Sequence, residues 1–259
     1  MVPYPPSGGG RRIGGCGAAG SGAGVLQENY RPGEGVVRVS EPVMLSWSGG
    51  KDSALALWVL ARDPAWRVVR LLTTVTTGYD RVSIHGVRRS LLARQAAALG
   101  LPVTEVEIPP GCSNEVYEAR VAEALARPEC AGVRCVAFGD LFLEDVRAYR
   151  ERQMAALGRR AVFPLWGRDT GETARAVIDA GFRAVVVALD PARLDRSLAG
   201  RDYDRRLLAG LPAGVDPCGE RGEFHTFAWD GPVFSRPVAV RRGRVVERQG
   251  MVYCDLEPA

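Results

Sequence analysis

Residues 43–61 read VMLSWSGGKDSALALWVLA: an apolar run, two adjacent glycines set among serines, then an amphipathic run. A strand that passes through a glycine turn into a helix is the repeating unit of a wound parallel sheet, because the helix must return over the sheet before the next strand can pair. The chain keeps that rhythm. Short apolar runs at 43–47, 68–74, 103–108, 133–138 and 185–189 predict strands, and amphipathic segments at 54–61, 87–99, 115–126, 144–157 and 172–180 predict helices between them. The helices carry stop signals: Asp63-Pro64, Gly100, Pro128, Gly158 and Gly181 in turn. Asp169 and Glu172 have the spacing of a capping box at the start of the fifth. After about residue 200 the texture changes, and 223–229, 238–240 and 245–253 predict short strands with hairpin-type turns at Asp230-Gly231 and Arg242-Gly243. The expected fold is α/β, a Rossmann-like parallel sheet with a smaller mixed α+β C-terminal region. The expected divisions are 1–38, 39–190 for the nucleotide-binding domain and 191–259 for a substrate-binding region. Residues 1–38 are Gly-rich without hydrophobic period and are expected to be disordered, with a true start near Val39 as the sharper alternative.

The glycine turn falls at the carboxyl edge of the predicted sheet, where open α/β folds bind phosphates. Ser48, Gly49, Gly50, Lys51, Asp52 and Ser53 suit that task. Glycines admit an anion close to the backbone, and amides, hydroxyls and the helix N-terminus supply donors. Lys51 is the only lysine in a chain with 34 Lys plus Arg, an arginine preference that reads as the mark of a GC-rich genome. A compact ammonium fits where the planar fork of arginine would not. The loop is not a Walker A motif, since Leu45 stands where the first glycine belongs and Asp52 follows Lys51. Asp52 beside phosphates calls for a bridging Mg²⁺, or else Asp52 or Ser53 simply caps the helix.

Three other clusters stand out. Phe138-Gly139-Asp140 ends a predicted central strand beside the phosphate site, and Arg147 and Glu151 follow four apart on a helix, a spacing that a solvated ion pair also explains. Pro164-Leu165-Trp166 closes that segment. His85 precedes Arg88 and Arg89, which either meet an anion or form a solvated pair. Glu223, His225 and Phe227 share one face of a predicted strand, which sets a carboxylate beside an imidazole able to take a proton; a structural histidine is the plainer reading.

A net charge of +4 gives no case for nucleic acid. The six cysteines form no CxxC pair and no zinc spacing, as in a reduced protein with buried thiols. No apolar run has the length of a membrane span, and the first residues lack the apolar stretch of a signal peptide, so a cytoplasmic protein is expected.

Taken together, SGGKDS at 48–53, GDLFLEDVRAYRE at 139–151, PLW at 164–166 and CGERGEFHTFAWDGPVF at 218–234 resemble the diphthine ammonia ligase family. The first motif is shared by all PP-loop ATP pyrophosphatases of the adenine nucleotide alpha hydrolase-like superfamily; the last is specific to this family. The HGVRR and DGPVF forms look like its bacterial branch. The resemblance implies a ligase that uses ATP and Mg²⁺. A substrate carboxylate attacks the α-phosphate, pyrophosphate leaves into the glycine loop, and ammonia displaces AMP from the acyl adenylate. It implies that residues 48–53, with Gly139 and Asp140, bind ATP, that Asp52 holds Mg²⁺, and that Arg147, Glu151, Glu220, Glu223, His225 and Thr226 shape the acceptor and ammonia site. Lys51, Asp140, Glu223 and His225 are then the candidate catalytic residues, with Glu223 or His225 deprotonating ammonium. The implied partners are ATP, free ammonium and a carboxylate acceptor, either a small molecule or, where the host makes diphthamide, elongation factor 2. The competing readings are a PP-loop enzyme that thiolates tRNA and an ATP- or AMP-binding regulatory module without turnover.

Overall fold

The computed structural model describes residues 40–259, so the expectations for residues 1–38 lie outside the described residues. The first sheet comprises β1 (Glu41–Ser46), β2 (Trp66–Thr76), β3 (Arg81–Val82), β4 (Val103–Ile108), β5 (Cys135–Ala137) and β6 (Arg160–Val162). Its parallel strands run in the order β4-β2-β1-β5-β6, and β3 pairs antiparallel with the last two residues of β2. The helices α1 (Lys51–Arg62), α2 (Arg89–Leu99), α3 (Asn114–Leu125) and α4 (Glu144–Ala156) follow their strands as the apolar rhythm requires. Val43, Met44 and Leu45 of β1 are all buried, which is why this strand is apolar without alternation. Val43 and Leu45 face the core shared with α1 and α2, whereas Met44 faces the core shared with α3 and α4. Neighbouring strands leave β1 in opposite directions of the sheet, so the crevice between the ends of β1 and β5 is the switch point at which such sheets bind ligands.

After α5 (Thr170–Asp179) the chain builds a second, antiparallel sheet. It comprises β7 (Arg183–Leu189), β8 (Phe224–Asp230), β9 (Val240–Arg248) and β10 (Met251–Pro258) in the order β8-β7-β10-β9, with a short α6 (Arg205–Ala209) between the first two. This sheet shares one core with α1 and α2, so those helices are enclosed between the two sheets. The strand expected at 185–189 therefore belongs to this sheet and not to the parallel one. Its interior run is buried on both faces, so its sequence carries no period that names a sheet.

The last hairpin also differs from expectation. Its turn is Gln249-Gly250, with φ of 51° and 78°, the two positive values of a type I′ turn. Gly243 lies inside β9, where the register with β10 shifts and a Cβ would stand 2.9 Å from the Asp255 carbonyl oxygen. Asp230-Gly231 ends β8 as expected, but the chain then goes to β9 on the far edge of the sheet. The Asp169 cap holds, its Oδ1 accepting from the Glu172 amide at 2.8 Å. No helix among the described residues is long and apolar enough to cross a membrane.

Candidate active site

The glycine loop enters α1 earlier than its apolar period suggests: Lys51 is already helical and Gly50 is the N-cap residue, which offers no side chain to the first amides. The cap comes from the second sheet. Thr226 Oγ1 on β8 accepts from the Lys51 amide at 3.1 Å. Neither residue the sequence offered as a cap does that work, since Ser53 Oγ donates to the Gly50 carbonyl at 2.9 Å and Asp52 turns to Lys51. Gly49, at φ 81°, presents its carbonyl to the Ala228 amide at 2.8 Å and to Gln95 Nε2 at 3.0 Å. A Cβ there would lie 2.8 Å from Gln95 Oε1, and one on Gly50 would lie 3.0 Å from His85 Cε1. Gly49 is thus required by its left-handed φ as well as by close approach, and Gly50 by close approach alone.

Above this loop opens a cavity of about 260 Å³, bounded also by the ends of β2 and β5, by α3 and α4, and by residues 218–220 and 224–226. Lys51 is 1% exposed at its floor. Its ammonium donates to Asp52 Oδ2 at 2.8 Å and to the Cys218 carbonyl, and it lies 5.2 Å from the ring centres of Tyr203 and Phe224. Burial pushes its pKa down, but the charge on Asp52, with Cys218 and Glu220 behind it, leaves it above the usual lysine value. One N–H of the ammonium stays outside these two bonds.

Three carboxyl groups line the cavity: Asp52, Asp140 and Glu220. Asp52 Oδ1 is buried and has no hydrogen-bond partner. Burial raises Asp140, with Arg150 opposing and Asp52 adding. Burial likewise pushes Glu220 up to about 8, against the bond its Oε1 accepts from the Leu141 amide at 2.7 Å, while Asp52 and Asp140 add to the rise. Among the described residues no group of three His, Cys, Asp or Glu side chains could enclose a metal unaided. A Mg²⁺ held by one or two carboxylates together with substrate phosphates and water is a different case, and the unpartnered Asp52 oxygen facing the cavity fits it.

His225 also lines the cavity, beside His85, with ring centres 4.7 Å apart. His85 Nδ1 donates to the Thr226 carbonyl at 3.1 Å, which leaves Nε2 as the acceptor nitrogen. Burial lowers His85 to about 4, partly offset by that bond and reinforced by Lys51. Burial, His85 and Lys51 hold His225 well below its usual value, so both imidazoles are neutral at pH 7.

The expected pairing of His225 with Glu223 does not occur. Glu223 precedes β8 and is fully buried; its Oε1 accepts from the Asp216 amide at 3.1 Å and from Arg193 at 3.3 Å, and its Oε2 from the Arg221 amide at 3.0 Å. It fixes the loop that carries Cys218 and Glu220 and does not line the cavity. Nor does the structure bring Arg147 and Glu151 there. Arg147 donates to Glu151 at 2.8 Å on the outer face of α4 and lies over Trp166 and Phe163, at 4.7 Å and 5.1 Å from the ring centres. Arg88 and Arg89 are taken by Asp255 and by Glu105 and Glu107. Cys218 is the cysteine at the cavity; burial pushes its thiol far up, and it donates to the Thr170 carbonyl at 3.3 Å.

Two residues that sequence reasoning passed over matter here. Arg150, one turn from Val146, faces the cavity where Arg147 was expected. Gln95, fully buried, accepts from Trp47 Nε1 at 3.0 Å and donates to the carbonyls of Gly49 and Ala228, clamping the glycine loop to β8.

Comparison with known proteins agrees with this geometry. The family model described as diphthamide synthase N-terminal domain matches residues 42–161, and that described as diphthamide synthase C-terminal domain matches residues 169–259. Among curated relatives, the diphthine–ammonia ligase of Schizosaccharomyces pombe is 24% identical over 129 residues, covering 48% of this chain and 21% of the relative. Those of Bos taurus and Homo sapiens are 22% and 21% identical over 176 residues, covering 66% of this chain and 66% of each relative. The chain thus spans only part of the length of the relatives it matches. With both halves of the synthase matched in order, and the SGGKDS and GEFHT segments meeting at one cavity, the chain belongs to the diphthamide synthase family.

Proposed function

We propose that this chain is an ATP-dependent amide-forming ligase that adenylates a carboxylate and transfers ammonia to it. The observation that carries the reading is the convergence of the glycine loop, three cavity carboxyls and two neutral imidazoles on one pocket. A carboxylate oxygen forms a bond to the α-phosphorus, the bond from that phosphorus to the bridging oxygen of the β-phosphate breaks, and pyrophosphate leaves toward Ser48–Ser53. The α1 N-terminus and the free N–H of Lys51 meet the departing charge. Asp52 and Asp140 are the residues that would hold Mg²⁺, which would neutralise phosphate oxygens. In the second half-reaction the nitrogen of ammonia bonds to the acyl carbon, the bond to AMP breaks, and a proton leaves the nitrogen. His225, kept neutral by burial beside His85, is the group suited to take it. The acceptor is a carboxylate of a small molecule or of a protein, elongation factor 2 in a host that makes diphthine.

The test is incubation with ATP, Mg²⁺, ammonium and host extract, followed by nucleotide and phosphate analysis. AMP and pyrophosphate in equal amounts are expected, with ammonium incorporated. Production of ADP and phosphate, or a Lys51→Ala protein as active as the parent, sinks the mechanism.

A further inference from the structure

The cavity opens on both faces of the parallel sheet. The glycine loop belongs to the face packed by α1 and α2, and the opposite wall is built by α3 and α4. On that opposite wall lie polar groups to which the chemistry above gives no task. Arg150 of α4 donates through Nη1 to Tyr117 Oη at 3.1 Å, and its Nε is buried without a partner. Tyr149 Oη, next in sequence and at the same cavity, is also buried without a partner. The Arg150 guanidinium stacks over Phe138 at 5.0 Å, which fixes its plane. Asp140 acts on Arg150 through space without closing a hydrogen bond to its free Nε, and Glu118 is the carboxylate near Tyr149. A half-buried guanidinium whose Nε is cut off from water and has no bonded anion is costly, and its planar fork matches one kind of partner, the paired oxygens of a carboxylate or a phosphate.

We propose that Arg150, Tyr149 and Tyr117 form a second oxyanion subsite, separate from the glycine loop, that binds one carboxylate or phosphate group of a substrate. Which group enters it rests on the ligase reading. A nucleophile must approach the α-phosphorus opposite the departing pyrophosphate, so a carboxylate held on the α4 wall while the glycine loop grips pyrophosphate has that geometry. A phosphate of ATP is the other source of the same chemistry.

Calorimetric titration of the full chain separates the two. In one arm α,β-methylene-ATP is added to free protein, and in the other acetate is added to protein saturated with that analogue. Arg150→Gln is expected to lose at least tenfold in affinity in one arm, and Tyr149→Phe a smaller amount in the same arm, with melting curves confirming that both fold. Loss in the acetate arm assigns a carboxylate; loss in the nucleotide arm assigns a phosphate. Unchanged affinity in both arms overturns the subsite. If the parent fails to bind the analogue, the ATP reading falls on its own, and acetate titrated into free protein still decides the subsite. Should Arg150→Gln not fold, Arg150→Lys, which keeps the charge and loses the fork, carries the test together with Tyr149→Phe.

Discussion

A lysine in the first turn of a helix stands at the wrong end of the helix dipole, and burying it adds a desolvation cost. Lys51 bears both, offset by Asp52, by the Cys218 carbonyl and by the faces of Tyr203 and Phe224. Lys51→Met is expected to leave Asp52 and Cys218 unpartnered and to cost about 2–4 kcal/mol of stability as well as pyrophosphate release. Lys51→Arg is expected to fail similarly, because the larger planar group must displace two rings at about 1–3 kcal/mol. Urea midpoints and AMP formation measure both; an Arg variant with parental stability and turnover would refute the idea of a site shaped for a point charge. Lys51 was legible in the sequence because it stands alone. Arg150 was not, because an i, i+4 rule singles out Arg147 and Glu151. The buried phase of the same helix, Val146 then Gln153 and Met154, puts Arg150 on the inner side.

At the scale of elements, the strands and helices were legible wherever period and stop signals coincide, and the strand at Val103–Ile108 falls where the sequence put it. What the sequence left open is where elements meet. No local pattern announces that Thr226 on β8 caps α1, or that Gln95 on α2 ties Gly49 to Ala228. Gln95 did leave a trace, as a polar residue on the face of α2 that also holds Leu91 and Leu92. Gln95→Leu keeps the volume but strands Trp47 Nε1 and the Ala228 carbonyl, for an expected loss of about 2–4 kcal/mol. Because the same bonds shape the glycine loop, weaker binding of α,β-methylene-ATP is expected with it. Gly49→Ala tests the loop from the other side: a left-handed φ and a 2.8 Å approach to Gln95 make it destabilising. The expected cost is about 1–3 kcal/mol in a denaturant titration.

For the whole molecule, the cavity groups set how the ligand-free protein responds to pH. His85 falls from an ordinary 6.5 to about 4 on folding, and His225 falls as well. Between those values the unfolded chain binds more protons than the native one, so stability rises with pH up to about 6.5. Glu220 acts in the opposite sense, since it rises from 4.5 to about 8 and the native state holds the extra proton between them. Its contribution is complete below 4.5 and is lost as pH climbs through about 8. From 4.5 to 6.5 the two histidines oppose Glu220 and Asp140, which burial also raises; above 6.5 the histidines are neutral in both states, and the loss through about 8 belongs to Glu220. Stability should therefore decline above pH 6.5, by about 2 kcal/mol toward pH 8 from Glu220. Glu220→Gln can still accept from the Leu141 amide and cannot ionise, so it should remove the alkaline decline and exceed the parent in stability at pH 8. Urea midpoints at pH 5, 6.5 and 8 for parent and variant decide the matter. Parallel curves above pH 6.5 would show that Glu220 is ionised in the folded protein, with the cavity's acidic wall charged before any cation or phosphate arrives.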